Sequence, residues 1–231
     1  MLGMDKNLIE LKPKNPDLLK PIFIDIESII PGIKPPFPLT SRAEYDLYFP
    51  DNPLYPLGTA EDISGGLNRP ELQNFFKPFE GQIVVEIGSG PYISGYKVAL
   101  FCKARAYVGV EPYEFVKNLK KGLKKAEEVL GSSSPQIPRT AVQADALSFL
   151  KRLPGKSVSV FASQLESIMK EKYEIAVAKE IQRVLHPEGA FIQYDSTFSL
   201  DGGLFKSDLF DRDGIGDFII HHELKKYQRR T

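Results

Sequence analysis

The stretch from Gln82 to Gly95 constrains this chain more than any other: Gln-Ile-Val-Val-Glu-Ile-Gly-Ser-Gly-Pro-Tyr-Ile-Ser-Gly. Ile83, Val84, Val85 and Ile87 form the short apolar, β-branched run that a buried parallel strand needs. At Gly88-Ser89-Gly90 the side chains all but vanish and the backbone has to turn. Ser94 is placed to cap a following helix, in which Val98, Phe101 and Cys102 recur at helical spacing. Strand, glycine turn and helix open a doubly wound α/β sheet, whose ligands sit at the carboxyl ends of the strands.

The turn itself narrows the ligand. A dinucleotide site reads Gly-x-Gly-x-x-Gly, with the third glycine packing the helix on the strand. Counted from Gly88 and Gly90, that position is Ile93. A P-loop is absent, because no Gly-Lys-Ser/Thr follows. What stands out is an acid two residues before the first glycine, in Glu86-Ile-Gly88-Ser-Gly90-Pro91. This run resembles motif I of the class I S-adenosylmethionine-dependent methyltransferases. The usual third glycine of that motif falls at position 92, which here is Tyr92.

From residue 82 onward the chain alternates. Strands are expected over 82–87, 106–110, 140–144, 157–162 and 190–195, with helices over 94–104, 113–130, 147–153 and 166–185. Past Asp195 the pattern suggests a short helix over 204–210 and a strand over 218–224. The expected fold is a mostly parallel, Rossmann-like sheet of six or seven strands. The first part of the chain is different: twelve of the 18 prolines precede residue 80. Proline excludes long regular elements there, yet Ile22, Phe23, Ile24, Ile26, Ile29, Ile30 and Phe37 supply apolar surface that has to pack on something. Residues 1–78 are therefore expected to form a proline- and aromatic-rich extension, with Gly65-Gly66 as a hinge and 79–231 as the main domain.

The resemblance covers about residues 80–195 and implies a set of cofactor contacts. Glu111 closes the second strand, 21 positions after Gly90. An ionised carboxylate there is acceptor-only and suits both ribose hydroxyls. NAD sites place an acid at a similar distance, so this residue supports a nucleoside without choosing between the two. Asp145 closes the third strand, where it suits the exocyclic amine of adenine, and the small Ala146 leaves room for the ring. The resemblance implies S-adenosylmethionine bound by Glu86, Gly88, Ser89, Gly90, Glu111, Pro112, Asp145, Ala146 and Gln164. Leu185-His-Pro-Glu-Gly189 is similar to the Leu-Lys-Pro-Gly-Gly turn that precedes the fifth strand in many small-molecule methyltransferases.

The acceptor signals are mostly exclusions. Strand four ends Phe161-Ala162-Ser163-Gln164-Leu165, without the Asn/Asp-Pro-Pro-Tyr loop that aligns a base amine and without a Pro-Cys nucleophile. Ser163, Gln164 and Glu166 would lie near the methyl group, or simply cap the next helix. Lys+Arg and Asp+Glu balance at 30 each, so no basic face for nucleic acid is expected. The lysines at 117, 120, 121, 124 and 125 read as a solvated helix face. Asp211 to Gly216 fails as a calcium loop, with Ile215 and His222 at ligand positions, and no metal site is expected. His186 belongs to a turn, while His221 and His222 point to opposite faces of a strand, so no general base is identified.

A lone Cys102, no apolar run of membrane length and no leader pattern point to a cytoplasmic protein. The expected activity is methyl transfer to a small-molecule acceptor, with Tyr45, Tyr48, Phe49 and Tyr55 of the extension as lid and acceptor pocket. An NAD-dependent oxidoreductase and a non-catalytic scaffold of the same fold remain as alternatives.

Overall fold

The computed structural model describes residues 23–33, 35, 37, 70–90, 93–112, 116–126, 136–163, 171–196, 210–219 and 222–229. At its centre β1 (Ile83–Ile87) is buried at every position, and so is its neighbour β2 (Ala106–Glu111). Unbroken burial is what a parallel strand covered on both faces requires, which explains a near-continuous apolar run instead of alternation. β3 (Arg139–Gln143), β4 (Ser159–Ser163) and β5 (Phe191–Ser196) complete five parallel strands. β6 (Phe210–Ile219) and β7 (His222–Arg229) add an antiparallel pair, and the sheet order is β3-β2-β1-β4-β5-β7-β6. The order reverses between β1 and β4, which opens the crevice at the carboxyl end of β1 where ligands of such sheets bind.

Adjacent residues of each strand feed opposite cores. Val85, Ile87, Val108 and Val110 face α5 (Ala146–Arg152) and α6 (Glu171–Val184), meeting Phe149, Leu150 and Ile181. Val84, Tyr107, Phe161 and Ile192 face α2 (Pro70–Phe76), α3 (Ser94–Phe101) and α4 (Val116–Lys124). The Phe161 ring lies 6.3 Å from Phe76 and 6.4 Å from Phe79, both edge-on.

Of the extension, residues 23–33 are a strap across the sheet edge, while α2 packs into the core beside β4. Phe23 bridges to Arg139 at the start of β3, and the Ile24 N–H donates to the Arg139 carbonyl at 3.1 Å. Phe23 packs on the α4 side, with the Lys124 ammonium 5.1 Å from its ring centroid. The chain then crosses over, and Ile26 and Ile29 of the single-turn helix α1 (Ile26–Ile29), with Ile30 and Ile33, enter the core on the other face. An otherwise open strand edge is thereby covered, which removes a template for unwanted pairing. The aromatic cluster at Tyr45, Tyr48, Phe49 and Tyr55 and the Gly65-Gly66 pair lie outside the described residues.

Two joints show local chemistry at work. Helix α3 ends with the Ala104 N–H donating to the Ala99 carbonyl at 2.9 Å and the Lys103 N–H to Leu100 at 3.0 Å. This is a Schellman close, and it forces Lys103 to φ 55°, a conformation that suits glycine. Lys103→Gly is therefore expected to stabilise the fold by about 1 kcal/mol, read as a higher midpoint in urea at unchanged m-value. The second joint is the turn before β5. A Cβ at Gly189 would lie 2.6 Å from Ser159 Oγ, so a larger residue would displace that hydroxyl. The Ser159 hydroxyl accepts the Ala190 N–H, and the His186 Nδ1 accepts the Glu188 N–H. His186 serves this turn, at the amino end of β4 and β5 and away from the glycine turn.

The structure corrects three sequence readings. Residues 218–224 were expected as one strand, but Ile219 ends β6 and His222 opens β7, so that apolar run spans a hairpin. Phe210, expected at the end of a helix, opens β6; residues 204–209 lie outside the described set. Ladder bonding to β7 overrides the poor strand propensity of Asp and Gly in Phe-Asp-Arg-Asp-Gly-Ile-Gly-Asp-Phe-Ile. Finally, the N-cap of α3 is Ile93 without a side-chain cap bond, Ser94 is the first helical residue, and Cys102 is the buried C-cap instead of a mid-helix residue.

Candidate functional site

The glycine turn follows β1 with Gly88 at φ 73° and Gly90 at φ 60°, both left-handed. A side chain at either position would strain the backbone, which accounts for the spacing of the two glycines. The turn is laced to the end of β2. The Gly88 N–H donates to the Val110 carbonyl at 3.0 Å, and the Ser89 hydroxyl reaches the same carbonyl at 3.2 Å. The Gly90 N–H donates to Glu111 Oε2 at 2.9 Å. Glu111 thus fixes the turn and presents its carboxylate at the carboxyl edge of the sheet.

Glu111 ends β2, Asp145 follows β3 and Glu86 is the penultimate residue of β1, and all three are buried: Glu86 is 1%, Glu111 4% and Asp145 6% exposed. Asp145 is the N-cap of α5, its Oδ1 accepting the Ser148 N–H at 2.9 Å. The carboxylate reserved by sequence reasoning for an adenine amine is therefore also a helix cap. Ala146, half-buried, is the first residue of that helix. The Pro112 carbonyl accepts from Gln143 Nε2 at 3.3 Å, which ties the loop after β2 to β3. Gln164 and Glu166 lie outside the described residues, while Ser163 ends β4. In their ionised form the three buried carboxylates would favour a cationic ligand over an anionic one.

Beneath the turn, Glu86 sits in a socket that sequence reasoning missed. Tyr107 Oη donates to Glu86 Oε2, and burial, followed by the Glu86 charge and that bond, pushes the phenol well above its ordinary pKa. Tyr107 reaches Glu86 because the intervening residue on its face is Gly109, the register partner of Glu86. A Cβ at Gly109 would lie 3.0 Å from Tyr107 Oη and 2.7 Å from Leu119 Cδ2. Gly95, in the first turn of α3, is a second clearance, since a Cβ there would collide with the Glu86 carboxylate. The Tyr96 ring meets Tyr107 edge-on at 5.6 Å. Buried Arg139 stacks on Tyr96 at 4.9 Å and donates to the Tyr96 hydroxyl at 2.8 Å and the Leu123 carbonyl at 2.6 Å. The only sequence signal was a tyrosine two residues before a glycine on the neighbouring strand, legible once the register is known.

One further buried group lies near the edge. Gln193 of β5 is the register partner of Ala162 at the level of Ile87, and neither of its amide atoms has a hydrogen-bond partner among the described residues. Among the described residues no group of three His, Cys, Asp or Glu is placed to hold a metal, and no helix is long and apolar enough to cross a membrane.

No protein-family model matches the chain, and no curated protein matches it by sequence. Solved structures do match by fold. Magnesium protoporphyrin IX methyltransferase from Synechocystis PCC 6803, solved with bound SAM, aligns at TM-score 0.50 and 14% identity, over 77% of this chain and 86% of its own. An rRNA methylase from Streptococcus thermophilus aligns at 0.50 and 11%, over 71% and 98%. The pyocyanin biosynthetic protein PhzM aligns at 0.50 and 14%, over 75% of this chain but 63% of its own. At such identities the likeness shows the fold alone: an α/β, Rossmann-like domain of the kind found in class I S-adenosylmethionine-dependent methyltransferases.

Proposed function

We propose that the chain binds S-adenosylmethionine at the carboxyl edge of β1, β2 and β3 and transfers its methyl group to a small-molecule acceptor. The observation that carries this reading is the set of three buried carboxylates around the glycine turn. A sulfonium nucleoside carries net positive charge and suits that surrounding, whereas a dinucleotide brings a diphosphate into it. Glu111 would hold the ribose hydroxyls, Asp145 and Ala146 would receive the adenine edge, and Gly88, Ser89, Gly90, Pro112 and Gln164 would line the ligand. The cofactor supplies an electrophilic methyl group. The chain's own task is to hold an acceptor in line with it and exclude water.

The balanced charge of the sequence supports a small acceptor over nucleic acid. The aromatic run Tyr45 to Tyr55 supports a lid: apolar side chains in a proline-rich segment gain order mainly by packing on a folded neighbour. Under this reading limited proteolysis cuts within residues 57–68, and S-adenosylhomocysteine slows the cut. Cleavage that ignores the ligand would place the extension away from the site.

Thermal unfolding with S-adenosylhomocysteine tests the cofactor. At a concentration 100 times its Kd the product should stabilise the protein by about 2.7 kcal/mol. A folded sample whose Tm does not move at millimolar product would overturn the assignment.

A further inference from the structure

Helix N-termini attract anions, because their first N–H groups lack intrahelical partners and the macrodipole is positive there. In dinucleotide folds that role falls to the pyrophosphate of the ligand. Among the described residues, the N-cap of α3 is Ile93 with no side-chain cap bond, and the first turn carries no acid. The anion comes from the preceding strand instead. The Glu86 carboxylate lies against Gly95 in the first turn of α3, so close that a Cβ there would collide with it. On its other side it accepts the Tyr107 hydroxyl.

We propose that Glu86, positioned by Tyr107, is a specificity device: it fills the N-terminal turn of α3 with an internal anion and so turns away ligands that bring a phosphate or diphosphate there. This rests on the reading of the edge as a nucleoside site and states which nucleosides it rejects. Three features show that the arrangement is built. Gly109 opens the path for the Tyr107 phenol, Gly95 opens the space for the carboxylate, and Tyr96 packs edge-on against the Tyr107 ring under the Arg139 guanidinium. Tyr107 is a positioning residue, acting through Glu86 and touching no ligand itself.

The test compares adenosine with adenosine diphosphate by calorimetry on the full chain, on Glu86→Gln and on Tyr107→Phe. The parent should bind the diphosphate at least tenfold more weakly than adenosine. Glu86→Gln keeps the shape and removes the charge, and should raise the ratio of diphosphate to adenosine affinity by about tenfold. Tyr107→Phe keeps the charge but releases its position, so the ratio should rise by a smaller factor, about threefold, and an unchanged ratio there would remove Tyr107 from the device. An unchanged ratio in Glu86→Gln overturns the proposal, since a merely structural role for Glu86 would leave that ratio alone. Sodium pyrophosphate gives an arm independent of any nucleoside. It should raise the Tm of Glu86→Gln and leave that of the parent unmoved, and a rise in the parent overturns the proposal even where the variant does not fold. A parent that ignores S-adenosylhomocysteine while Glu86→Gln gains pyrophosphate affinity would sink the cofactor assignment and leave this device standing.

Discussion

Glu111→Ala should weaken S-adenosylhomocysteine binding by about 3 kcal/mol or more, roughly a hundredfold in Kd. The size follows from two losses. On the proposed reading the carboxylate would accept two ribose hydroxyls, and each bond to a charged group contributes about 1.5–3 kcal/mol. It also accepts the Gly90 N–H at 2.9 Å, so its removal frees the turn that the ligand rests on. Glu111→Gln keeps one acceptor oxygen and should fall between the two. Calorimetry on the folded variants checks this. An alanine variant within threefold of the parent would reduce Glu111 to a latch for the turn.

Phe161→Ala should cost about 3–5 kcal/mol of stability, the range for deleting a fully enclosed aromatic ring. Phe161 has no exposed surface and lies on the central strand β4, its ring edge-on to both Phe76 and Phe79. These rings come from α2 and the turn after it, so the cavity would undercut the helix that covers this face. For a domain of this size the loss corresponds to a fall in Tm of about 6–20 °C. Urea unfolding with a change below about 1 kcal/mol would show that the surrounding phenylalanines collapse into the space.

The opening strand and its turn were legible because Ile83, Val84, Val85 and Ile87 are apolar and β-branched, and because Gly88 and Gly90 sit where φ is positive. Glu111 was legible by its distance from Gly90. β6 was not, since Asp211, Asp213, Gly214 and Gly216 argue against a strand and only pairing with β7 makes one. Asp145 looked like a ligand acid, and its second role as a cap depends on where α5 begins. The Glu86 socket was hidden for a different reason. Tyr107 and Gly109 matter through their register against Val84 and Glu86, and strand register is a tertiary fact. The apolar residues between Phe23 and Ile33 announced packing, but not that they would cover the β3 edge.

The most direct check on the central claim is a calorimetric titration of the full chain with S-adenosylhomocysteine and, separately, with NADH. The account predicts saturable one-to-one heat with the first and none with the second, because Glu111 and Asp145 would take the ribose and adenine of a nucleoside while their charge opposes a diphosphate. Binding of NADH without binding of S-adenosylhomocysteine would contradict it.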